Sequence, residues 1–163
     1  MDGSGLTRPW AGVGTYTREL LAAMVAVRPE ALLTVYTPVG VEAAPEGVTT
    51  EPLPAARLVG RHLLWPLHLR RSGAAAYFSP TGSLPLLGPG LPAVVTVHDL
   101  AIYRHPEWFP GGQWLSVRVT VPLSIRSADA VVAVSTSTAR DLAELFGVAS
   151  ERRSLEELAH LPR

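Results

Sequence analysis

Ala93-Val94-Val95-Thr96-Val97-His98-Asp99-Leu100 is a short apolar run that ends in an imidazole beside a carboxylate. Its β-branched residues, fenced by Pro92 before it and a polar pair after it, predict a strand buried on both faces. Such strands belong to parallel sheets, where ligands bind in the crevice outside the carboxyl ends. His98 and Asp99 occupy that end.

Similar runs lie on either side. Ala74-Ala75-Ala76-Tyr77-Phe78-Ser79 predicts a strand whose following loop, Pro80-Thr81-Gly82-Ser83, falls at the same sheet end as His98. Residues 128–134 predict another, ending in the polar Ser135, and residues 32–37 an earlier one. The Gly-, Pro- and Glu-rich stretch 38–54 predicts a loop with a short strand near Val48-Thr49-Thr50.

Helical spacing alternates with these strands. Residues 12–28 place Tyr16, Leu20, Leu21, Met24 and Val27 on one face, and Pro29 ends the helix. Residues 55–71 mix leucines with Arg57, Arg61, Arg70 and Arg71, and Pro66 is expected to kink or split the helix. Its apolar-plus-Arg character would suit an interfacial helix, but packing on the sheet with snorkelling arginines is the more usual explanation. Residues 103–110 predict a loop of large side chains that either lines a pocket or covers the core. Residues 113–126 predict a helix with Trp114, Val117, Val121 and Ile125 on one face and a kink at Pro122.

Thr136-Ser137-Thr138 supplies N-cap candidates for a helix through Phe146, stopped by Gly147, and Thr138 with Asp141 has the spacing of a capping box. Capping is the favoured role of this Ser/Thr cluster, with ligand contact at Ser135 the alternative. Residues 1–11 predict loop, so no strand is visible before the first helix. The alternation predicts an α/β, Rossmann-like three-layer domain with a mostly parallel sheet whose first strand is missing. It spans residues 1–148, and residues 149–163 form a charged helical tail.

Composition limits the function. At 163 residues with 47% hydrophobic content, the chain fits one domain with a real core. Fourteen basic residues balance 14 acidic ones, so no general attraction to nucleic acid is implied. The absence of cysteine excludes disulfides, thiolate metal sites and a cysteine nucleophile. With no signal-like N-terminus and no run long enough to span a bilayer, a cytoplasmic protein with at most peripheral membrane contact is expected.

Gly12-Val13-Gly14 opens the first helix. A glycine pair there either lets backbone N–H groups and the helix dipole approach an anion, or simply makes a tight turn. A dinucleotide fingerprint fails, because its third glycine position holds Thr17 and the next strand ends without an acid.

Ala11-Gly12-Val13-Gly14-Thr15-Tyr16-Thr17-Arg18-Glu19-Leu20-Leu21, Tyr77-Phe78-Ser79-Pro80, Val95-Thr96-Val97-His98-Asp99-Leu100 and Arg126-Ser127-Ala128-Asp129-Ala130-Val131-Val132-Ala133-Val134-Ser135 follow one another in order. Together they resemble the N-terminal, acceptor-side domain of family 4 retaining glycosyltransferases of the GT-B fold. The resemblance implies sugar transfer from a nucleotide-sugar donor to a carbohydrate or lipid-linked acceptor, with no metal and no cofactor beyond that substrate. It places Gly12 and Gly14 near the donor phosphates and His98 near the donor sugar. Asp99 is expected to orient His98 or to cap the next turn. With Ser79 and Ser135 at their strand ends, the candidate substrate-binding set is Gly12, Gly14, Ser79 and Ser135, and the candidate catalytic pair is His98 and Asp99.

The family also carries a second Rossmann-like domain with a paired-glutamate motif, which residues 149–163 are not expected to begin; Glu156 and Glu157 are adjacent and are not expected to take that role. A separate donor-domain protein is therefore an expected partner, and the isolated chain is expected to be inactive or incomplete. Two other readings stand beside this one: a non-catalytic partner subunit, and a nucleotide-binding α/β domain of unrelated function. For His98 itself the alternative is a strand-end histidine satisfied by backbone.

Overall fold

A computed structural model describes residues 1–7, 12–37, 45–52, 62, 64–109, 116–149 and 153–155. Its first regular element is α1 (Gly12–Val27), followed by β1 (Leu33–Thr37) and β2 (Val48–Pro52), which pair in parallel. Next come α2 (Trp65–Arg71), β3 (Tyr77–Ser79), β4 (Ala93–Val97) and α3 (Ala101–Arg104). The chain closes with α4 (Val121–Ser127), β5 (Ala130–Ala133), α5 (Thr136–Phe146) and β6 (Arg153–Leu155). β3, β4, β5 and β6 pair in that order, all parallel, with Val95 opposite Val131 and Val97 opposite Ala133. This is the α/β, Rossmann-like domain that the alternation of patterns predicts.

The extreme N-terminus corrects one expectation. Residues 1–3 are not loop: the Tyr36 amide donates to the Met1 carbonyl at 2.9 Å and the Gly3 amide to the Tyr36 carbonyl at 2.8 Å. On the other side the Asp2 amide donates to the Phe78 carbonyl at 2.9 Å. These three residues therefore lie between β1 and β3 and join the two-stranded and four-stranded groups edge to edge. The strand that seemed missing is present as a three-residue stretch, too short to show a period of two. Gly3 must be small, because a Cβ there would come within 2.5 Å of Val35 Cγ1 and 2.8 Å of Thr37 Cγ2.

Alternating residues of β1 serve opposite faces of the sheet. Val35 packs with Leu6 and with Leu21 of α1. Tyr36 joins the main core with Trp65, Leu69, Tyr77, Val95, Ile125, Val131 and Leu142. Tyr36 and Trp65 meet edge to face at 4.6 Å, and the Trp65 indole N–H donates to the Tyr77 hydroxyl at 3.3 Å. Asp129, on the approach to β5, accepts from the Ala93 amide at 2.8 Å and so fixes the start of β4.

Several elements differ from the sequence-based expectation. The buried face of α1 is Gly14, Thr17 and Leu21, and Val27 points to solvent. Pro66 stands in the first turn of α2, where its missing N–H costs nothing, and residues 62 and 64 just ahead of it are π-helical; residues 53–61 and 63 of the expected helix lie outside the described set. The expected loop after Tyr103 contains the end of α3 and a 3₁₀ turn, Pro106–Trp108. Ahead of Pro122, residues Ser116–Thr120 take a π-helical turn that gives way to α4, so the proline marks a change of helix type; residues 110–115 are not among those described. Residues Arg153–Leu155 are a strand beside β5, not part of a helix. Their pattern is misleading because three residues with two polar side chains match either period. Residues 156–163 fall outside the described set.

Candidate functional site

The order of the strands reverses between the N-terminal stretch and β3: β1 and β2 lie to one side, β3 to β6 to the other. The crevice at such a point is where open α/β sheets bind ligands. Asp2 is buried there. Its carboxylate accepts from the Ser4 amide at 2.9 Å and from the Thr81 hydroxyl at 3.1 Å. Sequence reasoning missed Asp2, since no strand pattern preceded it.

Ser79 ends β3 fully buried, and its hydroxyl donates to the Ser83 carbonyl at 2.7 Å, so it braces the loop that follows. One strand over, His98 continues β4 and is half-buried. Its Nε2 lies 2.8 Å from the Pro80 carbonyl oxygen. A carbonyl only accepts, so Nε2 donates to it, which in the neutral form of the ring leaves the lone pair on Nδ1. The Tyr16 ring from α1 meets the His98 ring edge to face at 5.0 Å, while the Tyr16 hydroxyl and the buried Thr96 Oγ1 lie 3.0 Å apart. His98 is thus oriented by Pro80 and Tyr16.

The Asp99 carboxylate accepts from the Ala101 amide at 3.0 Å, just ahead of α3, whose N-cap is Leu100. Ser135 is the N-cap of α5, accepting from the Thr138 amide at 3.1 Å. Thr138 in turn donates to the His98 carbonyl at 3.0 Å, tying α5 to the end of β4. The anticipated Thr138–Asp141 capping box does not form, because the N-cap is Ser135 and Thr138 already lies in the first turn; Asp141 is engaged instead by the Arg104 guanidinium at 2.8 Å and 3.0 Å. Arg104 also contacts Glu144, and the two carboxylates hold its pKa above the usual guanidinium value.

His98, Asp99 and Ser135 come together on one open cleft of about 630 Å³, which also receives Arg104, Trp108 and Asp141. Gly12 and Gly14 are not on its wall; they lie in the first turn of α1, one turn before Tyr16. A Cβ on Gly12 would meet open space. The first N–H groups of α1 have no partners within their helix, as at any helix N-terminus. Behind the cleft, the Tyr103 hydroxyl donates to the Val117 carbonyl at 2.6 Å, and burial pushes its pKa up to about 12.

The family model for Glycosyltransferase Family 4 matches residues 10–155. The chain belongs to that family. The match reaches from just before α1 through β6, so the glycosyltransferase-family domain includes the strand at 153–155. Among curated proteins no match to the chain is found. The family places His98 and its cleft in a transferase-type domain, and among the described residues no helix is long and apolar enough to cross a membrane.

Proposed function

We propose that this domain is the acceptor-side half of a glycosyltransferase that moves a sugar from a nucleotide-sugar to a carbohydrate or lipid-linked acceptor. The observation that carries the reading is the held imidazole of His98 at a strand end, opening on a cleft of about 630 Å³ in a glycosyltransferase family 4 domain. Because Pro80 and Tyr16 fix the ring before any ligand arrives, little reorganisation is needed when a sugar hydroxyl meets it. The start of α1 offers backbone N–H groups and a helix dipole to the donor diphosphate, with Gly12 and Gly14 keeping the approach open. Closure of a second Rossmann-like domain over this face, within the same polypeptide or from a partner, supplies the remaining donor contacts and excludes water.

Calorimetric titration with several nucleotide-sugars and free nucleotides, followed by transfer assays alone and with a supplied donor domain, tests this. Binding and transfer are expected with one nucleotide-sugar. No binding and no transfer under either condition would sink the enzymatic reading. His98→Ala is expected to lower turnover about tenfold, the scale of one lost hydrogen bond in the transition state. Its circular dichroism should be unchanged. Equal turnover would remove His98 from the site. Transfer only with the added domain would show that the remaining donor contacts come from that domain.

A further inference from the structure

The outer rim of the cleft holds a feature that sugar transfer at His98 does not use. Trp108 closes the 3₁₀ turn after α3 and is 63% exposed, outside both core clusters. Its indole stacks on the His105 ring at 4.0 Å and 10°, and His105 is held in turn by Glu107 at 3.2 Å. A lone exposed aromatic is unremarkable on a surface. This one, however, is held by a stacked neighbour and lines the same cleft as His98.

The wall that α3 and α5 contribute is polar and fixed. Arg104 clamps α3 to α5 through Asp141 and Glu144, so both carboxylates are held in place while the cleft stays open. Arg140 adds a second guanidinium to the lining. Along this wall two guanidiniums (Arg104, Arg140) face three carboxylates (Asp99, Asp141, Glu144), so there is no surplus positive charge for a phosphate or a uronate. A flat aromatic face and a set of charged hydrogen-bonding groups lining one cleft match a molecule that is itself two-sided. A pyranose presents axial C–H groups on one face and hydroxyls around its rim.

We propose that Trp108 is the stacking platform of a subsite for one neutral hexopyranose ring, with Asp141, Glu144 and Arg140 contacting its hydroxyls. The cleft volume is within the range of about 300–1,000 Å³ that holds small-molecule ligands. The assignment of that ring as the acceptor rests on the glycosyl-transfer reading above; the binding of the ring does not.

Saturation-transfer NMR on the full chain with methyl glucoside, methyl mannoside and methyl galactoside tests the subsite, with methyl glucuronide and uridine monophosphate as competitors. At least one neutral hexoside should bind through its C–H face. Trp108→Ala should weaken that binding roughly tenfold, the scale of losing one stacked ring, with Trp108→Phe in between. Both variants should keep the wild-type circular dichroism, since Trp108 is in neither core cluster. Absence of hexoside binding, binding unchanged in Trp108→Ala, or displacement by the uronate or the nucleotide at lower concentration would overturn the subsite. Hexoside binding that depends on Trp108 in a chain that transfers no sugar would uphold the subsite and sink the transferase reading instead.

Discussion

His98 and Tyr103 both sit near the same cleft, yet the protein treats them in opposite ways. His98 is left with one ring nitrogen available, whereas the Tyr103 hydroxyl is spent on the Val117 carbonyl and its ionisation is suppressed by burial. The folded state prefers the protonated phenol, so its contribution to stability is intact below the ordinary tyrosine pKa of about 10 and is lost as pH rises toward about 12. In a spectrophotometric titration, the difference between the wild type and Tyr103→Phe should be a phenol that ionises near pH 12. A difference that titrates with the ordinary tyrosines would contradict this burial. At this scale the sequence was partly legible. His98 could be found because an apolar run ended on it, and Asp99 because it adjoined the histidine. Asp2 could not, because a carboxylate beside Gly3 in a stretch without periodicity carries no mark of burial. Nor could the supports of His98: Pro80 lies 18 residues away and Tyr16 comes from the opposite end of the fold.

Among the elements, α5 was the most readable because its limits are chemical. Ser135 caps it, and Gly147 follows it at φ 63° with both the Leu142 and Ala143 carbonyls in reach of its amide. Ser135→Ala should cost about 1 kcal/mol. Gly147→Ala should cost roughly 1–2 kcal/mol from the left-handed backbone alone, since a Cβ there meets nothing within 4 Å. Urea denaturation measures both, and a loss under a few tenths of a kcal/mol at Ser135 would mean that the Thr138 amide finds another acceptor. Elements without such marks were misjudged. β6 has three residues and no apolar alternation, and the π turn before α4 depends on how Pro122 is accommodated in three dimensions. The buried stripe of α1 was misassigned because Gly14 and Thr17, small residues that let the helix approach the sheet, carry the contact in place of its larger side chains.

At the scale of the whole molecule, one parallel sheet spans the domain only because residues 1–3 stitch β1 to β3. Gly3→Ala places a methyl group against Val35 and Thr37, two side chains stiffened by β-branching, and should destabilise the domain by about 1–3 kcal/mol. Hydrogen exchange offers the finer check: the Gly3 and Tyr36 amides should exchange as slowly as those of β4 in the wild type and faster in the variant. Fast exchange at Tyr36 in the wild type would show that the stitch does not hold.

That stitch also sets a timetable. On the ribosome, the stretch at the middle of the sheet emerges before either of its neighbours. Its first partner, Tyr36, follows more than thirty residues later, with Met1 and Thr34 separated by 33 positions, and its second only when Phe78 has been made. Until then its backbone amides stay paired with water, and the nascent chain offers unpaired strand edges to any neighbour. Contacts so distant in sequence make slow folders. The domain should therefore gain its resistance to protease late and abruptly, after β3 has cleared the exit tunnel, and not strand by strand.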